Sequence, residues 1–109
     1  MKNYSEEFKQ LIEKYKEKGF EYGKPIDYIE FRNGCSIEEM EKELLKFKNL
    51  KFIEKQTIEN EKRYKAYFVY SSKRGRVYIM TFTNKIRIIS IYPLGPSTVK
   101  RYNRAKFKR

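Results

Sequence analysis

The sequence predicts an α+β domain in which two amino-terminal helices cover one face of a four-stranded antiparallel sheet. Three observations carry this. Apolar residues before position 50 recur at helical spacing, residues after position 50 are rich in Tyr, Val, Ile, Phe and Thr, and short turn sequences separate those later runs. With 109 residues, the chain suits a single domain, with 1–50 as a helical scaffold and 51–109 as a basic sheet and tail.

The first helix is read from Tyr4, Phe8, Leu11, Ile12 and Tyr15, which share one stripe. Ser5 serves as its N-cap, Glu6 and Glu7 complement the helix dipole, and Gly19 ends it. Phe20–Gly34, with Gly23, Pro25 and Gly34, reads as a loop in which Asp27–Arg32 is extended. Ser36 and Glu39 form a capping box for a second helix burying Ile37, Met40, Leu44 and Phe47 and ending near Asn49. The strands are Lys51–Ile58, Tyr64–Ser72, Arg76–Thr83 and Lys85–Pro93, joined as a meander by turns at Ser71–Gly75 and Thr83–Lys85. Pro93, Gly95 and Pro96 stop the last strand, and a short helix with Val99 and Tyr102 precedes a basic tail.

Charge is distributed unevenly along the chain. All 14 acidic residues lie in Met1–Glu61 beside 12 basic ones, a net of −2. Lys62–Arg109 holds seven Lys, seven Arg and no carboxylate. A +14 stretch of 48 residues fits attraction to a polyanion better than it fits solubility alone.

A two-residue turn at Asn84-Lys85 pairs Thr83 with Ile86, Thr81 with Ile88 and Ile79 with Ser90. The same arithmetic at the preceding hairpin, for a loop of two or four residues, puts Tyr70 on the side of Val77 and Ile79. Lys65, Tyr67, Val69, Tyr78, Met80, Phe82, Ile89 and Ile91 then lie under the helices. The face left open carries Tyr64, Phe68, Tyr70, Ile79, Thr81, Thr83, Ile88, Ser90 and Tyr92. Bases of a single-stranded nucleic acid can stack on such a face while a basic rim follows the phosphates. Tyr70, Lys73, Arg74, Arg104 and Lys106 are the candidate nucleic-acid contacts.

Several chemistries are excluded by residue type. The chain has no histidine, no Gly-rich phosphate loop, no nucleophile elbow and no Cys/His metal spacing, and its basic half lacks the clustered carboxylates of two-metal nucleases. Cys35 reads as a packing residue, and neither a metal nor a cofactor is called for. No apolar run approaches a membrane span and no signal sequence is evident, so the expected setting is cytoplasmic, without a membrane partner. Metal-free cleavage of RNA through its own 2′-hydroxyl remains open. Lys and Arg can neutralise the phosphorane, and a Lys or Tyr crowded by cations can act as base.

The segment Lys85-Ile-Arg-Ile-Ile-Ser-Ile-Tyr-Pro-Leu-Gly-Pro-Ser-Thr-Val-Lys-Arg-Tyr102 resembles the closing strand and basic tail of small ribonuclease toxins, the RelE-like proteins and the wider superfamily shared with barnase and colicin-type transfer-RNA nucleases. The resemblance covers the last 50 or so residues; RelE-like chains begin with a strand, where this one begins with a helix. It implies an endoribonuclease acting on messenger RNA at the ribosome or on transfer RNA, neutralised by an acidic antitoxin protein. It also implies a catalytic set of Arg76, Lys85, Arg87, Ser90, Tyr92, Lys100, Arg101 and Tyr102. In that set Arg76, Arg87 and Arg101 hold phosphate charge, and Lys85 or Lys100 serves as base or acid. Tyr92 and Tyr102 stack or relay a proton, and Ser90 orients the phosphate. The alternative is a non-catalytic basic nucleic-acid-binding protein, such as a plasmid, viral or chromatin accessory.

Overall fold

The computed structural model describes residues 3–96. The expected carboxy-terminal helix lies outside them. Helix α1 (Ser5–Tyr15) is followed by a 3-10 turn (Lys16–Lys18), strand β1 (Phe20–Tyr22), helices α2 (Ile26–Asn33) and α3 (Ile37–Lys46), and strands β2 (Leu50–Ile58), β3 (Glu61–Val69), β4 (Gly75–Phe82) and β5 (Ile86–Leu94). The class is α+β as expected, and β2–β5 form the antiparallel meander. The sheet, however, has five strands in the order β1-β5-β4-β3-β2, and β1 runs parallel to β5.

The main departure from expectation is Phe20–Gly34, which is a strand and a helix instead of a loop. Pro25 (φ −58°, ψ 135°) stands immediately before the helix, and Gly34 takes the left-handed conformation (φ 67°) just after it. The residues that punctuate a loop are here the two boundaries of α2. Helix α1 is entered through Tyr4, with Ser5 already helical. Asn3 does the anchoring: its Oδ1 accepts from the Ser5 and Ile53 N–H groups, tying α1 to β2. Gly19 ends that segment at φ 89°, ψ −176°, a region open essentially to glycine alone. Helix α3 follows the capping-box reading, with Ser36 Oγ accepting the Glu39 N–H at 3.2 Å. It stops at Lys46, where Phe47 turns left-handed.

The core lies between the helices and one sheet face. Phe8, Ile12, Ile29, Met40 and Leu44 pack on Ile53, Tyr64, Ala66, Phe68, Tyr78, Met80, Ile86, Ile88 and Ile91. For β4 the expected face is the observed one. For β3 the sides are exchanged, because the β3–β4 loop has five residues, Tyr70–Arg74, between the paired Val69 and Gly75. An odd loop places Tyr64, Phe68 and Tyr70 on the helix side and Lys65, Tyr67 and Val69 on the other.

Strand β5 is corrected in two steps. The β4–β5 turn has three residues, so Phe82, not Thr83, faces Ile86, and Met80, not Thr81, faces Ile88. One extra residue, Ile89, then bulges between Ile88 and Ser90, and the expected pair Ile79–Ser90 is recovered. The bulge lets β5 bury Ile86, Ile88 and Ile91 in one core while Arg87, Ser90 and Tyr92 share the second face. Part of that second face is itself covered: Phe52, Val77 and Leu94 are buried there.

Candidate functional site

Strand β1 pairs with β5 only as far as Ile88. Beyond that point the edge of β5 is met by the chain around α2. The Gly23 N–H donates to the Ile88 carbonyl (2.8 Å), and Asn33 Nδ2 donates to the Ile91 carbonyl (3.1 Å). These two bonds hold Lys24 and α2 beside the bulge. Lys24 Nζ lies 3.4 Å from Ser90 Oγ, on a serine that is 8% exposed. The Arg32 guanidinium sits over the Tyr92 ring, 5.4 Å from its centroid, and its Nη1 is 3.5 Å from the Tyr28 hydroxyl. Lys24 Nζ is also 6.0 Å from the Tyr28 ring centroid. Arg87, on the same strand face as Ser90 and Tyr92, forms a 2.9 Å ion pair with Glu21 across the β1–β5 ladder.

Two cations and two hydroxyl-bearing side chains therefore meet where α2 crosses β5. Lys24 and Arg32 supply positive charge, Ser90 and Tyr92 supply hydroxyls, and the Tyr28 hydroxyl is engaged by Arg32. This composition suits a phosphate, whose oxygens accept from ammonium, guanidinium and hydroxyl groups alike.

Of the residues singled out from sequence, Ser90 and Tyr92 belong to this cluster, and Arg87 lies on the same strand face but is paired with Glu21. Lys85 is exposed in the β4–β5 turn. Lys73 and Arg74 are exposed in the β3–β4 loop, where Ser71 Oγ accepts both their N–H groups. The eight residues of β4 separate that loop from Lys85 by about 25 Å. Lys100, Arg101, Tyr102, Arg104 and Lys106 lie outside the described residues.

Arg76 and Tyr70 face the helices. Arg76 Nη1 donates to Glu43 Oε1 at 3.0 Å, with both side chains 16% exposed. The Tyr70 and Tyr78 hydroxyls donate to the same carboxylate, and the Arg76 guanidinium lies over the Tyr70 ring. Burial, followed by the hydrogen bond to Glu43, pushes both tyrosines above the ordinary tyrosine range. Burial likewise raises the Cys35 thiol, which makes it a poorer nucleophile.

A second constellation lies across the molecule, in an open cleft of about 620 Å³ between α1 and the β2–β3 hairpin. There Glu7 accepts from the Tyr64 hydroxyl and from Lys55 Nζ, the latter at 2.7 Å. Its carboxyl is held below the usual range by those two donors, and burial with the Glu7 contact pushes Tyr64 up to about 12. These groups satisfy one another.

Sequence reasoning missed Lys24, Tyr28 and Arg32. The nine-residue spacing from Pro25 to Gly34 was the available signal, since it brackets a helix of eight residues. Among the described residues, no three His, Cys, Asp or Glu side chains come close enough to hold a metal ion, and no helix is long and apolar enough to cross a membrane. Comparison with protein-family models, with curated proteins and with solved structures finds no match for this chain.

Proposed function

We propose that the protein is a metal-independent endoribonuclease of toxin type, acting on messenger RNA at the ribosome or on transfer RNA and held in check by an acidic antitoxin. The observation that carries this reading is the gathering of Lys24 and Arg32 at Ser90 and Tyr92 beside the β5 bulge. In the proposed reaction the RNA 2′-oxygen attacks the adjacent phosphorus and loses its proton. The 5′-oxygen leaves and gains one, giving a 2′,3′-cyclic phosphate and a 5′-hydroxyl. Lys24 and Arg32 neutralise charge on the non-bridging oxygens, Ser90 donates to one of them, and Tyr92 orients Arg32. Lys85 or Lys100 supplies the base or acid, and Arg101 and Tyr102 complete the set that the family resemblance implies, without Arg76, which Glu43 holds on the helix side of the sheet.

The test uses purified protein, total RNA and ribosomes in EDTA. Fragments ending in 2′,3′-cyclic phosphate are expected, and their yield falls at least 100-fold in Lys24→Met and Ser90→Ala. Intact RNA at micromolar protein removes the reading. A non-catalytic RNA-binding protein is the second reading, and one observation favours it: Arg76 and Arg87 are already paired with Glu43 and Glu21. It predicts affinity that falls steeply with salt and no cleavage.

A further inference from the structure

Helix α2 has more apolar residues than its core contact uses. Ile29 is the one it buries, at 2% exposed, whereas Tyr28 is 48% and Phe31 89% exposed. Phe31 is the most exposed large apolar side chain among the described residues. Tyr28, Phe31 and Arg32 stand at i, i+3 and i+4, which places them on one side of the helix. Arg32 links that side to the cation cluster by touching both the Tyr28 hydroxyl and the Tyr92 ring. Charge divides the two flanks of Phe31. Lys24 and Arg32 lie toward β5, while Asp27 and Glu30 border a hollow with Cys35 and Ser36 on the other side.

We infer that Tyr28 and Phe31 are a base-stacking platform for single-stranded RNA, flanking the phosphate held at Lys24 and Ser90. The inference rests on reading that cluster as a phosphate site. The spacing fits a nucleotide, because Lys24 Nζ reaches Ser90 at 3.4 Å and lies 6.0 Å from the Tyr28 centroid. A phosphate on Lys24 thus has a neighbouring base within reach of the Tyr28 ring. Asp27 and Glu30 repel the sugar-phosphate chain from the far flank and confine it to the Lys24–Arg32 side. Stacking requires an unpaired base, so the substrate class is single-stranded RNA, and paired regions are refused.

The experiment measures binding of a labelled 2′-O-methyl oligonucleotide, which cannot be cut through its 2′-position, by fluorescence anisotropy. A second oligonucleotide carries 2-aminopurine, whose emission falls when the base stacks. Tyr28→Ala and Phe31→Ala are expected to weaken binding about 5- to 150-fold each and to relieve the quench. Tyr28→Phe and Phe31→Tyr keep the ring and are expected to restore both readouts. The slope of affinity against salt stays unchanged in the alanine variants and shrinks in Lys24→Met. Both side chains are exposed, so far-UV circular dichroism is expected to match the parent. Alanine variants that bind like the parent overturn the inference and leave the face to a protein partner. A duplex bound as tightly as the single strand also overturns it, as does a parent protein that binds no oligonucleotide. Stacked binding without cleavage of natural RNA sinks the ribonuclease reading and leaves the platform standing. Cleavage indifferent to Tyr28 and Phe31 does the reverse.

Discussion

Replacing Glu43 separates structural arginine from phosphate-binding arginine. Its carboxylate accepts from Arg76, Tyr70 and Tyr78, and it joins α3 to β4 where Tyr78 is 1% exposed. Glu43→Ala strips the counter-charge from a guanidinium that is largely out of water and leaves the Tyr78 hydroxyl without its carboxylate. Breaking one side of a buried pair costs about 3–5 kcal/mol, against a total of about 5–15 kcal/mol for a domain of this size. Glu43→Gln keeps the shape and one good acceptor, and is expected to lose about 1.5–3 kcal/mol. The double variant Glu43→Leu/Arg76→Met removes both charges together with their desolvation, so it is expected to be more stable than Glu43→Leu alone.

Urea unfolding followed by circular dichroism reads these values, provided the slope with denaturant stays that of the parent. The double-mutant cycle is expected to give a coupling of about 2 kcal/mol. Additivity within about 0.5 kcal/mol, or a Glu43→Ala loss below about 1 kcal/mol, refutes the cross-link. A second readout addresses function. With its charge held by Glu43, Arg76 adds no phosphate contact, so Arg76→Met leaves the salt slope of RNA binding unchanged. A slope that falls by about 0.7, the increment per phosphate on a single strand, places Arg76 on the phosphate.

Tyr64 is pushed from an ordinary value of 10.0 up to about 12 in the folded chain, so its contribution is complete below pH 10 and is lost as pH rises through about 12. Absorbance titration of tyrosinate is expected to show this late group and to move it down in Glu7→Gln, with stability near pH 11 falling in parallel. A Cβ on Gly75 would lie 2.7 Å from the Phe68 carbonyl oxygen, so Gly75→Ala is expected to cost about 1–3 kcal/mol by thermal or urea unfolding. The Glu21–Arg87 pair is 48% and 44% exposed, and Glu21→Gln is expected to change stability by less than about 1 kcal/mol. Releasing Arg87 in this way is expected to tighten RNA binding and steepen its salt dependence, as measured by oligonucleotide titration.

Elements whose signals are local were legible. Helix α3 announces itself through Ser36, Glu39 and a clean stripe, and the four meander strands through runs of β-branched and aromatic residues. Helix α2 was not legible because Ile26, Tyr28, Ile29 and Phe31 do not form one stripe: Ile29 is buried while the other three are exposed. A helix that keeps apolar groups on two sides loses the periodicity by which helices are recognised. Face assignment failed for a different reason. Sheet register is a parity problem, and neither a five-residue loop at Tyr70–Arg74 nor a single extra residue at Ile89 leaves a mark in composition. The five-residue loop moves Tyr64 into the core, the three-residue β4–β5 turn moves Ile88 there, and the bulge leaves Ser90 and Tyr92 outside it.

Charge gives the corresponding lesson for the site. Acids and bases are segregated along the chain, yet folding carries Glu43 to Arg76 and Glu21 to Arg87, so two arginines of the carboxylate-free half are neutralised by the other half. The exchange runs both ways, since Lys24 and Arg32 come from the acidic half and join Ser90 and Tyr92. A net charge of +12 still draws a polyanion from a distance, because the long-range field depends on the sum. Where that polyanion docks depends on which cations lack a carboxylate beside them, and that is a property of topology. Pairing β1 in parallel with β5 sets Glu21 opposite Arg87 and ends the ladder at Ile88, which frees the next stretch of β5 for α2. The placement of the proposed site therefore follows from a three-residue strand and a one-residue bulge more than from the abundance of lysine and arginine.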